Sequence, residues 1–131
     1  MNCLCDTNVL SELCRPFPNQ GVIEWTHTVS EISLSVITVE EIYFGLTRRP
    51  NVRILRWFEA FVTDNCSVLS VNAEIAEHAG QLRAELSLRG QTRTQADMLI
   101  AATASAHGLA LVTRNERDFA DCGIVVINPF S

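Results

Sequence analysis

Five short runs rich in valine, isoleucine and leucine recur along the chain, and stretches with helical spacing separate them. The runs lie at residues 2–6, 32–36, 68–71, 110–113 and 124–127. Each is apolar on both faces, as strands covered on both sides of a parallel sheet are. Strands that alternate with helices predict an α/β fold, a three-layer sandwich with a central parallel sheet of about five strands and helices on both faces.

The stretches between the strands predict helices with one apolar face each. The first three faces consist of Val22, Trp25 and Val29, then Val39, Ile42, Tyr43 and Leu46, then Ile54, Phe58, Phe61 and Val62. A later helix has Asn72 as its predicted N-cap and Gly90 as its predicted C-terminal stop. Its apolar face consists of Ile75, Ala79, Leu82 and Leu86.

The length of 131 residues suits one domain with a real core. We expect a cytoplasmic protein that does not enter the membrane, because no apolar run reaches the length of a membrane helix and no secretory signal is recognisable. Five cysteines without a CxxC pair argue against a disulfide framework and a structural zinc site. They predict reduced, mostly buried thiols.

All ten basic residues are arginine, so chemistry that requires lysine, such as a Walker A loop or a Schiff base, is excluded. A net charge of −5 counts against a nucleic-acid partner, because phosphate contacts supply most of such affinity. The arginines are unevenly placed, however. Four fall within nine residues, Arg48, Arg49, Arg53 and Arg56, and four more lie near the acids described below, Arg89, Arg93, Arg114 and Arg117. Solvated helix faces are the alternative explanation for either set.

Three acids follow predicted strands and should therefore meet at one edge of the sheet. Asp6 ends the first strand in "CLCDTN", Glu41 follows the second by a helical turn, and Asp118 comes five residues after the fourth. In open α/β sheets, ligands bind outside the carboxyl ends of the strands. These acids are therefore candidates for a functional site.

Asp97 gives a sharper signal. It is the only charged residue in "ADMLIAATASA", a helix that is apolar on nearly every side and hence predicted to be central. Moving a carboxylate into a dry interior costs several kcal/mol unless a partner compensates the charge. A compensating group is therefore expected beside Asp97.

Helix capping is the alternative explanation for three of these acids. Residues 38–41 and 94–97 fit the S/T-x-x-E/D capping box, and residues 115–118 fit a looser version with an asparagine cap. An acid in the first turn also gains about 0.3 to 1 kcal/mol from the helix dipole. Capping does not account for Asp6, which is predicted to end a strand, or for the shared edge.

A divalent-metal site accounts for the acids as a set. Mg²⁺ and Mn²⁺ prefer oxygen ligands and are held by one or two carboxylates that leave room for water and a substrate phosphate. Without a cation, four clustered carboxylates would repel one another and take up protons. Nearby polar residues are candidates for orienting ligands or water, with turns and caps as their alternative role. They are Thr7, Asn8, Thr113 and Asn115.

Motifs along nearly the whole chain resemble those of the PIN-domain ribonucleases, and within them the VapC-type toxins of bacterial toxin–antitoxin pairs, including the FitB-like branch. They are "LCDTNVLSEL", "LSVITVEEIYFGL", "QADMLIAATASAHGLALVTRNERDF" and "VINPF". This resemblance implies a single PIN domain over residues 1–131. By position, the acidic residues of the family fall on Asp6, Glu41, Asp97 and Asp118.

The resemblance implies that Asp6 and Asp97 bind Mg²⁺ most directly and that Glu41 helps to hold the metal or its water. Some relatives have an acid at the position of Asn115, and Asp118 then contributes at longer range. Mn²⁺ is an alternative metal.

The implied activity is that of an endoribonuclease whose metal-activated water hydrolyses phosphodiester bonds in tRNA, rRNA or mRNA and leaves a 3′-hydroxyl and a 5′-phosphate. The implied partners are a second copy in a homodimer and a cognate antitoxin that neutralises the toxin in a heteromeric complex. Trp57 and Phe61 are candidates either for antitoxin docking or for core packing. A catalytically inactive module that only binds antitoxin or RNA is the rival interpretation, and the presence of all four acids argues against it.

Overall fold

The computed structural model describes residues 2–131. The strands are β1 (Asn2–Cys5), β2 (Glu31–Ser35), β3 (Cys66–Leu69), β4 (Ala110–Val112) and β5 (Val126–Ile127). The α-helices are α1 (Thr7–Leu13), α2 (Gln20–Thr26), α3 (Val36–Arg48), α4 (Val52–Asn65), α5 (Ala73–Leu88) and α6 (Gln95–His107), and a 3₁₀ helix covers Glu116–Phe119.

The five strands form one parallel sheet in the order β3-β2-β1-β4-β5, which confirms the predicted architecture. In the centre, Leu4 of β1 pairs with Ser33 of β2 on one side and Leu111 of β4 on the other. All the carboxyl ends therefore lie at the same edge. This arrangement brings the residues that follow β1, β2 and β4 together, although they are far apart in sequence.

Side chains alternate across the sheet and enter two separate cores. Leu4 belongs to the core beneath α5 and α6, together with Leu82 and Ile100. Cys3 and Cys5 belong to the other core, which α1, α2 and α4 cover. Both faces of the sheet are thus covered by helices, as in a three-layer sandwich.

The two edge strands are less buried than their apolar sequences predicted. All four residues of β3 are exposed or half-buried, and both residues of β5 are half-buried. Val68 of β3 has 43% of its surface exposed. Each edge strand has a neighbour on one side only, so the expectation of complete burial is wrong for these two strands.

Helix α5 has the predicted boundaries. The Asn72 side-chain oxygen accepts a hydrogen bond of 2.8 Å from the Ile75 backbone N–H, which caps the start of the helix. Gly90 follows the last turn with φ +78°, a conformation that glycine adopts without the steric cost of a Cβ. The predicted apolar face is buried at all four positions.

The apolar face predicted for α3 is only partly covered. Val39, Ile42 and Leu46 are half-buried, whereas Tyr43 and its neighbour Phe44 are 43% and 59% exposed. On α4, the rings of Trp57 and Phe61 stack with centroids 4.8 Å apart and pack against the buried core. This packing favours the structural role of those two aromatic residues.

The cysteines are all free thiols, as predicted, and Cys66 is the one that is not fully buried. Within residues 2–131, no helix has the length and apolar character that crossing a membrane would require.

Candidate active site

Asp6 is buried at the edge of the sheet where the carboxyl ends of the strands lie, which we call the carboxyl edge. Only 6% of its surface is exposed, and its backbone N–H donates to the Val112 carbonyl at 2.9 Å. One carboxylate oxygen, Oδ1, accepts from the Thr7 backbone N–H at 2.8 Å and so caps α1. The expectation that capping does not reach Asp6 is therefore wrong, because β1 ends at Cys5 and α1 begins directly after Asp6.

The second oxygen of Asp6 serves a different purpose. Oδ2 accepts from the Thr113 hydroxyl at 2.8 Å and from the Asn8 side-chain amide at 3.3 Å. These bonds join the residues after β1 to those after β4. Capping alone does not require this link, which fixes the carboxylate in one orientation at the edge of the sheet.

Thr113 connects three polar groups through one fully buried hydroxyl. While it donates to Asp6, its oxygen accepts from the Asn8 amide at 3.3 Å and from the Asn115 backbone N–H at 3.0 Å. Thr7, Asn8 and Thr113 therefore contact the acids directly. Asn115 is linked through its backbone, and its side chain makes no capping hydrogen bond.

We expect Thr113→Val to lower the free energy of unfolding by about 1 to 3 kcal/mol, because it leaves buried polar groups without their partner. Thr113→Ser, which keeps the hydroxyl, is the matched control and should lose less. Urea denaturation of the three proteins measures the difference. Indistinguishable midpoints for the valine variant and the parent protein would show that the hydroxyl does not organise this edge.

Glu41 lies in the second turn of α3. The N-cap of α3 is Ser35, whose hydroxyl accepts from the Ile37 backbone N–H at 3.1 Å, so the alternative explanation of Glu41 by a capping box at residues 38–41 does not apply. Glu41 Oε1 instead accepts from the Thr7 hydroxyl at 3.0 Å. Burial raises the pKa of Glu41, and the negative charges of Asp6 and Asp97 raise it further against the opposing hydrogen bond from Thr7.

Asp97 lies in the first turn of α6, where its backbone N–H donates to the Thr94 hydroxyl at 3.1 Å. The alternative explanation by capping therefore holds in part at residues 94–97, since Thr94 caps α6 through this bond. Burial raises the pKa of Asp97, and the charges of Asp6 and Asp118 raise it further, whereas Thr94 and Arg93 oppose the shift. The carboxylates therefore lie close enough for the charge of one to affect the ionisation of another.

Asp118 is the most exposed of the four acids. It lies in the 3₁₀ helix that follows β4, and the alternative explanation by capping at residues 115–118 does not apply, because the Asn115 side chain caps no N–H group. Arg93 Nη1 donates to the Asp118 backbone oxygen at 2.8 Å and so fastens this turn to the start of α6. The structure thus brings together a buried Asp6, half-buried Glu41 and Asp97, and an exposed Asp118.

The donor set is suited to a hard, hydrated cation. Within residues 2–131, no three His, Cys, Asp or Glu residues are arranged to hold a metal ion by themselves. Mg²⁺ does not need such a cage, because it is commonly held by one or two carboxylates and retains several waters. Burial is the main cause of the raised pKa of Asp97, and a cation would relieve the further contribution from the charges of Asp6 and Asp118. The chemistry of these residues therefore fits Mg²⁺ or Mn²⁺.

Comparison with known proteins places this arrangement in a family. The family model for the PIN domain matches residues 3–124, and the chain belongs to the PIN-domain family, as its motifs indicated. Among its relatives is the VapC ribonuclease Y4jK of Sinorhizobium fredii, which is 32% identical over an alignment that covers 95% of each chain.

Solved structures agree with this assignment. The crystal structure of FitAcB from Neisseria gonorrhoeae matches with a TM-score of 0.82 and 31% identity, covering 98% of both chains. A toxin–antitoxin complex from Klebsiella pneumoniae matches with a TM-score of 0.76 and 28% identity, also covering 98% of both chains. The resemblance to VapC-type and FitB-like proteins is thereby confirmed.

Proposed function

We propose that this chain is a Mg²⁺-dependent endoribonuclease and the toxin component of a type II toxin–antitoxin system. The observation that carries the proposal is the cluster of buried and half-buried carboxylates at the carboxyl edge, where burial first, and then the neighbouring negative charges, raise the pKa of Asp97 and of Glu41. The similarity to a VapC ribonuclease supports the reaction class.

Asp6 and Asp97 are the proposed ligands of the metal, and Glu41 and Asp118 are the proposed acids beside it. When bound, the ion lowers the pKa of water and offsets the charge that builds up on the phosphodiester during attack. The chain itself orients the ligands: Thr113 and Asn8 fix Asp6, and the Thr7 hydroxyl fixes Glu41. Mn²⁺ is the proposed alternative metal.

The lack of ion pairs at most of the arginines supports RNA as the substrate. Among the ten, Arg15 alone forms an ion pair within residues 2–131, to Glu12 at 3.2 Å. Guanidinium groups without a carboxylate partner can bind phosphates, and such contacts provide most of the affinity for nucleic acids. Near the acids, such contacts offset the unfavourable net charge of the whole protein. We also propose a cytoplasmic location, which is consistent with an RNA substrate.

A groove beside the acids supports an antitoxin partner. It has a volume of about 420 Å³ and runs from Thr7 and Glu41 between α1, α3 and α4. Half-buried Ile42, Leu46 and Ile54 supply its apolar lining. We propose that a segment of a cognate antitoxin occupies this groove, within a heteromeric complex that contains a homodimer of this chain. The similarity to a toxin–antitoxin complex supports such an assembly.

RNA cleavage by the purified protein tests the proposal. We expect cleavage of total RNA with Mg²⁺ or Mn²⁺, none with excess EDTA, and products with a 3′-hydroxyl and a 5′-phosphate. Sequencing the new 5′ ends identifies the target, and co-purified antitoxin should suppress the reaction. Binding of RNA or antitoxin without any metal-dependent cleavage would favour the inactive binding module instead.

A further inference from the structure

The backbone of Arg114 is linked through Asn8 to the buried carboxylate of Asp6. Its backbone N–H donates to the Asn8 side-chain oxygen at 3.0 Å, and the amide of the same Asn8 donates to Asp6 at 3.3 Å. The residue before Arg114 is Thr113, which also binds Asp6. The backbone of Arg114 is therefore fixed to the site, while its side chain is exposed.

The ring of Phe130 restricts the Arg114 side chain. The guanidinium carbon, Cζ, lies 4.8 Å from the centroid of the Phe130 ring, which is within the range of a cation–π interaction. Phe130 is half-buried against the core that α1 and α2 cover. It follows β5, whose carboxyl end is at the same edge of the sheet as Asp6.

The segment that carries Phe130 is itself held on two sides. Asn128 donates to Glu116 at 3.1 Å, and the Ser131 backbone N–H donates to the Asn19 side-chain oxygen at 3.0 Å. Gly21 permits the close approach, because a Cβ there would collide with the Pro129 carbonyl oxygen. Hydrogen bonds thus hold residues 128–131 in place, and Phe130 of this segment packs against Arg114.

The guanidinium of Arg114 is available to a ligand. Within residues 2–131 it has no carboxylate partner, and its side-chain nitrogens make no hydrogen bond. Its contact is with the face of the Phe130 ring, which leaves the N–H donors of the guanidinium unused. Arg93 differs, because it donates to the Asp118 backbone oxygen and to the Gln91 side chain. A guanidinium that is restricted in direction but unpaired is suited to bidentate binding of phosphate.

We propose that Arg114 binds an RNA phosphate next to the one that is cleaved, and that Phe130 is a positioning residue that holds the guanidinium for this contact. This inference rests on the proposed ribonuclease function. It assigns a role in substrate binding to residues 128–131, which contribute no acid to the site.

Steady-state kinetics test the role of Arg114. The substrate is a fluorescent RNA stem-loop that carries the mapped cleavage sequence. Arg114→Gln should raise KM about 10-fold, as expected for loss of a charge-assisted contact, and leave kcat within about 2-fold. The slope of log KM against log salt should fall by about 1. Arg83→Gln is the matched control for the loss of one charge, because Arg83 is exposed on α5, and it should keep the parent KM.

The role of Phe130 is tested by a double-mutant cycle. Phe130→Leu should raise KM about 3-fold, Phe130→Tyr should keep the parent value, and Phe130→Leu should have no further effect in the Arg114→Gln background. Thermal melting of each variant checks that the fold is retained. An equal effect of Phe130→Leu in both backgrounds would show that Phe130 does not act through Arg114.

The experiments can reject the ribonuclease function and the Arg114 contact separately. A parent protein that cleaves no RNA with Mg²⁺ or Mn²⁺ would reject the ribonuclease function and this inference with it. A parent protein that cleaves RNA, together with Arg114→Gln at the parent KM or at a selectively reduced kcat, would reject the phosphate contact alone.

Discussion

Asp97→Asn will reduce the rate of RNA cleavage by about 10³-fold or more and leave the fold intact, since charge stabilisation at a reacting centre is commonly worth this much. The substitution keeps the size of the side chain and the capping of α6, because the Asp97 backbone N–H supplies the bond to Thr94. It removes one of the two negative charges that we propose hold the metal. Cleavage at saturating Mg²⁺ measures the loss, and circular dichroism checks the fold.

Asp64→Asn is the matched control for this substitution. Asp64 is exposed and lies just before β3, at the opposite edge of the sheet, so the control removes the same charge far from the acids. It should cleave RNA at the parent rate. An Asp97→Asn protein as active as the parent would refute the assignment of the site.

Mn²⁺ will raise the melting temperature of the parent protein more than that of Asp97→Asn. A ligand that binds only the folded state at about 100 times its Kd adds about 2.7 kcal/mol to the free energy of unfolding. The variant lacks a proposed ligand, so it should gain much less at the same concentration. Differential scanning calorimetry of both proteins, with EDTA and with millimolar Mn²⁺, measures the gain. Equal gains would argue against a shared site at Asp97.

The same acids determine how metal-free stability depends on pH. In the folded state, burial and neighbouring negative charges raise the pKa of Asp97 and of Glu41. For each group, the folded protein therefore binds more protons than the unfolded chain at any pH between the unfolded-state pKa and the higher folded-state pKa. The free energy of unfolding falls as the pH rises through this interval. In EDTA, Asp97→Asn should melt no lower than the parent at pH 7, and its relative advantage should vanish below about pH 4.

Much of the architecture could be predicted from local pattern. The apolar runs gave the strands and their parallel arrangement, and the cap at Asn72 and the turn at Gly90 gave the limits of α5. The isolated charge of Asp97 within an apolar helix marked it as a candidate, and in the structure it lies close enough to Asp6 and Asp118 for their charges to act on it. These signals depend on residues within a few turns of one another, so periodicity is sufficient to detect them.

Other features could not be predicted because local rules competed. At the start of α3, both Ser35 and Thr38 are suitable caps, and the end of β2 selects Ser35. The strand at residues 2–6 was predicted one residue too long, which hid the capping role of Asp6. The exposure of Val68 followed from the position of β3 at the edge of the sheet.

The sequence by itself determined which segments form strands and helices and which residues carry the negative charges. Only the tertiary structure decided their neighbours: Thr113 reaches Asp6 across 107 positions of the chain, and Phe130 lies beneath Arg114. The physical reason is that hydrophobic periodicity acts between near neighbours. The contacts of a side chain at the end of a strand depend on the order of strands in the sheet, which the whole core fixes together.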